Sequence, residues 1–259
     1  MRIIDFHAHI YPDKIAEKAT NATGDFYGIS PACIGTSECL LKEGERAGIE
    51  GSVLLPVATK PEQVRHINTF IRDEVNAHSE FHGFGTLHPD CTEMLEETEY
   101  ILQSGLLGVK LHPDTQGFNT DDKRLFEVYD YLQGRGTLIV HCGDKRFDYS
   151  HPRRLKKVID NFPKLCVIAA HLGGWSLFDE AFALLKNSDC FFDISSCMMF
   201  LPPEKVAKYI RGYGADRVLF GTDFPLWSPK TEVKAFQKLP LTSTEFEKIA
   251  YKNALRVIG

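Results

Sequence analysis

The sequence predicts an α/β protein of the (β/α)8 or TIM-barrel class, and three observations lead there. Short β-rich runs alternate with amphipathic helical stretches along all 259 residues. Several of the runs are continuously apolar, as in Val53-Leu54-Leu55, Leu138-Ile139-Val140 and Val167-Ile168-Ala169-Ala170, which is how strands buried on both faces look. The first run is followed by His7-Ala8-His9-Ile10-Tyr11-Pro12. An open doubly wound sheet would want a Gly-rich phosphate loop there.

Taken in order, the strand candidates are residues 2–6, 51–56, 83–87, 107–111, 137–141, 166–171, 190–194 and 218–221. The helices between them show one apolar stripe each. After Pro61, residues Val64, Ile67, Ile71 and Val75 fall at helical spacing, as do Leu125, Val128 and Leu132, and Leu155, Val158 and Ile159 after Pro152. A Thr242-x-x-Glu245 capping box opens a last helix striped by Phe246, Ile249 and Val257. Eight strand–helix repeats make a barrel, and with no linker or composition break the chain reads as one domain, 1–259. The irregular stretch is 11–35, with Asn21, Gly24, Gly28 and Pro31. It follows the first strand, so in a barrel it lies over the active-site face, where it reads as a lid or as a plain long loop.

Composition excludes several classes. Hydrophobic residues make up 43% and charged residues 25%, as in soluble globular proteins. The net charge of -5 and the absence of basic runs with interleaved aromatics argue against a nucleic-acid partner. No apolar run has the length of a membrane span, and nothing at the start reads as a signal peptide. Seven cysteines with no C-x-x-C pair read as reduced thiols in a cytoplasmic protein. The expected partner is a small-molecule substrate, and whether the chain forms a homo-oligomer is left open.

In a barrel the chemistry sits where strands end, at the C-terminal face. Those positions hold His7 and His9, His88, Lys110 and His112, His141, His171 and Asp223; six of the ten histidines are among them. His7 and His9, two apart on a strand, point to the same side and can reach one ion. Imidazoles plus one carboxylate, with no thiolate cluster, suit Zn²⁺ best, with Mn²⁺, Fe²⁺ and Co²⁺ also admissible. A catalytic ion of this kind lowers the pKa of a bound water toward neutrality. His88 before Pro89 reads as structural.

The same residues carry a resemblance. His7-x-His9, Gly108-Val109-Lys110-Leu111-His112-Pro113, Val140-His141, Ala170-His171-Leu172-Gly173-Gly174 and Phe220-Gly221-Thr222-Asp223-Phe224-Pro225 resemble the amidohydrolase superfamily. The similar branch is the amidohydrolase-related group, which also holds aminocarboxymuconate-semialdehyde decarboxylase-like enzymes. The resemblance implies metal ligation by His7, His9, His141 and Asp223. It implies catalytic roles for Asp223 and His171. Lys110 and His112 read as substrate-binding residues, with a metal role or a purely structural one left open for either. The resemblance implies one ion, although Lys110 leaves a bridged pair open.

Two functions follow from that resemblance. The leading expectation is a metal-dependent hydrolase of an amide, lactone or related bond, with Asp223 taking the proton of a metal-activated water and His171 helping to stabilise the oxyanion. The alternative is a metal-dependent decarboxylase of an unsaturated or aromatic carboxylate. The residues are shared, so the sequence barely separates the two.

Overall fold

The computed structural model describes residues 2–259. Among these residues the chain forms nine strands: β1 Ile4–Ala8, β2 Gly51–Leu54, β3 Phe81–Gly83, β4 Gly85–Thr86, β5 Gly108–Leu111, β6 Thr137–Val140, β7 Cys166–Ala169, β8 Phe191–Asp193 and β9 Val218–Leu219. They pair in parallel in the order β1-β2-β3 and β4 through β9. Interrupted only at Phe84, β3 and β4 act as one stave, so the third strand begins earlier than its apolar run suggested. The ring closes between β1 and β9 through backbone bonds from Phe6 N to Phe220 O (2.8 Å), Asp223 N to His7 O (2.8 Å) and His9 N to Phe224 O (2.7 Å). Eight staves closed in this way are the (β/α)8 barrel that the alternation predicts.

Helices cover the outside: α1 Asp13–Tyr27, α2 Ser37–Ala47, α3 Val64–Ala77, α4 Met94–Gln103, α5 Pro113–Gln116, α6 Phe126–Leu132, α7 Pro152–Asn161, α8 Phe178–Leu185, α9 Pro203–Tyr213, α10 Pro229–Phe236, α11 Ser243–Glu247 and α12 Asn253–Ile258. The Thr242 capping box is present, with Thr242 Oγ1 accepting from Glu245 N. A π-turn at Lys248–Lys252 joins α11 to α12. Among the described residues no helix is long and apolar enough to cross a membrane.

The irregular reading of 11–35 needs correction, because most of that segment is α1. Its buried face is Ala16, Thr20 and Gly24. The four-residue spacing is helical, but the side chains are too small to show as an apolar stripe. Gly24 is needed there, since a Cβ would lie 2.6 Å from Ile29 O. Gly28 ends the helix in the left-handed conformation.

Two apolar layers surround the staves. Ile4, Phe6, Val53, Leu55, Phe84, Ile139, Ile168 and Leu219 fill the barrel interior. Alternate residues such as Ala8, Leu54, Val109, Leu138 and Val167 pack outward with the helices. On β1 the phase changes partway. Asp5 pairs with Ser52 and Ala8 with Leu54, three residues against two. This bulge re-aims the side chains: Phe6 points inward, and so do His7 and His9 after it.

Candidate metal centre

Three histidines of the mouth, His7, His9 and His171, turn the same nitrogen inward, and their outer partners decide it. His7 Nδ1 lies 2.9 Å from Asp193 Oδ2. His9 Nδ1 lies 2.5 Å from Leu55 O, and His171 Nδ1 lies 3.0 Å from Ser195 O. Ionised carboxylate and carbonyl oxygens only accept, so these contacts assign the proton of each ring to Nδ1. Each Nε2 is then a lone pair. His7 Nε2 stands 3.7 Å and His9 Nε2 3.3 Å from Asp223 Oδ1. Two lone pairs facing a carboxylate oxygen repel one another unless a cation lies among them. His7, His9 and Asp223 each offer a ligand atom within 4.8 Å of the others. The donor set fits a divalent ion, and the outer partners are the kind that orient metal-bound imidazoles.

The charges agree. Burial, and then the neighbouring Lys110, push His7 down to about 3 against the pull of Asp193 and Asp223, so the ring is neutral at neutral pH. Burial would raise Asp223, but the surrounding imidazoles of His9, His7 and His171 outweigh it and hold the carboxylate well below the usual range. Asp193 behaves likewise, burial being overcome by His7 and Ser195. Lys110 is wholly buried, and desolvation lowers it to about 8 although Asp193 and Asp223 oppose that shift. Its Nζ stands 3.5 Å from His7 Nε2. Burial also drives His112 and His141 well below the ordinary imidazole value.

Backbone geometry sets several of these groups. His171 (φ 57°), Ser196 (φ 52°) and Asp223 (φ 60°) are left-handed non-glycine residues, a costly conformation that gathers at functional sites. Ser196 Oγ donates to Asp223 Oδ2, and Trp227 Nε1 donates to Ser196 Oγ at 2.7 Å. Gly221 leaves room for His7, whose Cβ would be 2.8 Å from a Cβ at 221. Behind β1, Asp5 Oδ2 accepts from Thr222 Oγ1 at 2.5 Å and Asp5 Oδ1 accepts from His7 N at 3.1 Å, tying the first strand to the last.

A cavity of about 260 Å³ has walls that include Tyr27, Trp175, Phe178 and Phe200, with Asp144, Lys145 and Arg146 also lining it. Tyr27 is shared with the histidines. Burial raises its phenol well above 10, so it keeps its proton, and its hydroxyl shares a hydrogen bond with His112 Nε2 at 2.6 Å. Arg146 Nη1 donates to Phe26 O at 2.6 Å and holds the end of α1 against the mouth.

Apart from His88, the residues singled out in the sequence come together here, but in two groups. His7, His9, Asp223 and Lys110 form one. His141 belongs with His171, whose Nε2 is 3.0 Å from its Nδ1, and with His112, on which it stacks at 3.9 Å and 9°. His88 only accepts from Asp90 N, at 3.2 Å. Sequence reasoning missed Asp193, Asp5, Asp114 and Tyr27. Asp193 had a visible signal, a carboxylate closing the apolar run Cys190-Phe191-Phe192 at a strand end. Tyr27 had none.

A family model described as amidohydrolase matches residues 4–259. None of the curated proteins compared with the chain matches it. Solved structures do. A TIM-barrel protein of Bordetella bronchiseptica without assigned function is 23% identical, with 100% of this chain and 98% of that one covered and a TM-score of 0.83. The 5-carboxyvanillate decarboxylase of Sphingomonas paucimobilis is 15% identical, covering 99% and 98%, with a TM-score of 0.76. A dihydroxybenzoic acid decarboxylase of Polaromonas sp. JS666, solved with manganese and 2-nitroresorcinol, is 14% identical, covering 99% and 96%, with a TM-score of 0.73.

Proposed function

The chain belongs to the amidohydrolase family, and on that premise we propose that it is a metal-dependent carboxy-lyase that removes CO2 from an aromatic or unsaturated carboxylate. The observation that carries this reading is the aromatic cavity, lined also by Lys145 and by Arg146, the latter paired with Asp144, that shares Tyr27 with the His112–His141 side of the mouth. A flat, anionic, apolar-bodied substrate fits such walls. The decarboxylases among the solved structures of this fold support the same choice. The hydrolase expectation therefore gives way to its alternative.

His7, His9 and Asp223 would hold the ion, with His141 as a further candidate ligand and His171 beside it. When bound, the ion would supply positive charge that favours the substrate's carboxylate. Lys110 adds a second positive charge within the barrel. The aromatic walls keep the ring in place and exclude water. Asp223, ionised at rest, takes a proton from a substrate hydroxyl or water and delivers it to the carbon that bears the carboxylate. A C–H bond forms there, the C–C bond to the carboxylate breaks, its electron pair returns to the ring, and CO2 leaves.

A panel of hydroxybenzoates and unsaturated carboxylates, run with Zn²⁺- and Mn²⁺-loaded protein and CO2 detection, tests this. Lactones and amides run in parallel. CO2 release without lactone or amide cleavage is expected. Cleavage without CO2 release from any carboxylate restores the hydrolase.

A further inference from the structure

Three histidines of the mouth have their outer nitrogen met by an oxygen at 2.5–3.0 Å, and His141 does not. Its Nδ1 lies 3.0 Å from His171 Nε2. Its Nε2 is buried and has no hydrogen-bond partner. A carboxylate stands just outside bonding distance, with Asp114 Oδ2 at 3.6 Å. Asp114 is itself fixed. It sits in the first turn of α5, and Ser150 donates to it twice, from Oγ to Oδ2 at 2.5 Å and from N to Oδ1 at 3.2 Å.

The contact between His141 and His171 can be one of two things. His171 Nε2 is a lone pair, because Nδ1 carries the proton. If His141 bears its proton on Nδ1, the two rings share an ordinary hydrogen bond and neither of the two bonded nitrogens is free for an ion. If the proton is on Nε2, two lone pairs face each other at 3.0 Å, and a cation is needed to reconcile them.

We propose that Asp114 is the positioning residue that decides this: its carboxylate draws the His141 proton to Nε2 and so makes Nδ1 a metal ligand. This rests on the metal-centre reading above. At 3.6 Å the contact is too long for a hydrogen bond. In a buried place the charge still acts at that distance, favouring an N–H toward the carboxylate and disfavouring a lone pair.

His112, Asp114 and His141 also offer ligand atoms within 4.8 Å of one another. An ion of their own is the poorer reading. The two rings are stacked nearly parallel, so their in-plane lone pairs do not converge, and both Asp114 oxygens already accept from Ser150.

The test is Asp114→Asn in Zn²⁺-loaded protein labelled with ¹⁵N-histidine at neutral pH, with the His141 signals identified by their loss in His141→Gln. In the wild type, Nε2 should appear protonated and Nδ1 metal-bound. In Asp114→Asn the tautomer should reverse, since the amide can donate to Nε2, and the affinity for Mn²⁺ or Zn²⁺ should fall about 10–100-fold. Ser150→Ala, which keeps the carboxylate but loosens it, should move both readouts the same way and less. An unchanged tautomer with unchanged affinity overturns the proposal. So does a wild type that binds two equivalents of metal, of which Asp114→Asn loses one and keeps the other at full affinity. Neither readout involves CO2, so failure of the decarboxylase reading would leave this result standing.

Discussion

On the β1–β9 side of the mouth, the outward nitrogens of His7 and His9 meet buried oxygens at 2.9 and 2.5 Å, whereas across the mouth His112 Nδ1 and His141 Nε2 meet none. The first side is also tied strand to strand through Asp5 and Thr222. The second is held by ring stacking and by Tyr27 from α1. Rigid partners on one side make lone pairs that cannot turn away, so that side commits to an ion before any substrate arrives. The looser side can adjust, and its residues are suited to tuning the ion and meeting the substrate.

Changes on the rigid side should therefore cost most. Asp223→Asn keeps an oxygen for the ion but cannot take a proton near neutral pH. We expect kcat to fall about 10²–10⁴-fold with a much smaller change in metal content, read by steady-state kinetics and elemental analysis. Near-normal kcat would remove Asp223 from the proton transfer and leave His171 as the group to test.

Next in size is Asp193→Asn. It weakens the carboxylate that sets the His7 tautomer, so metal affinity should fall about 10–100-fold in a competition titration. An effect no larger than that of Asp114→Asn would be the expected outcome only if the two sides were equally rigid. Comparison of the two variants thus measures the asymmetry directly.

One group behind the rigid side breaks its pattern. Glu232 is fully buried and neither of its oxygens has a partner. Burial, with Asp223 and Asp5 adding to it, raises Glu232 from 4.5 to about 8. The folded state then holds a proton that the unfolded chain gives up. In metal-free protein, stability should fall as pH rises from about 4.5 to about 8 and lose nothing further above that. Glu232→Gln has no proton to lose. It should match the wild type at pH near 4 and exceed it near 8 by on the order of a few kcal/mol, measured by denaturant midpoints. A pH-independent difference would refute the assignment.

The smallest effect should come from Tyr27→Phe on the looser side. It removes one neutral hydrogen bond to His112 and leaves the ring in the cavity wall. A loss of about 1 kcal/mol predicts a several-fold rise in KM with kcat little changed. A large drop in kcat instead would make the phenol a participant in the chemistry.

Much of this molecule is legible in contiguous residues. Apolar runs bounded by helical stripes mark the barrel staves, and histidines at the ends of those runs mark the mouth, because strand period and strand end are local properties. Asp223 is legible for the same reason, within Gly221-Thr222-Asp223-Phe224-Pro225. Helix α1 is not, because its buried face is made of Ala16, Thr20 and Gly24, which give a hydrophobic pattern nothing to show. The spacing of His7 and His9 says that they share a face but not which one; the bulge against β2 turns them inward. Which nitrogen of each ring is free depends on partners far along the chain, such as Asp193 for His7, 186 residues away. Sequence by itself determined the barrel and which candidate side chains stand at its mouth. Tertiary structure decided their tautomers, their grouping and their rigidity, since these arise from contacts between staves that meet only when the ring closes.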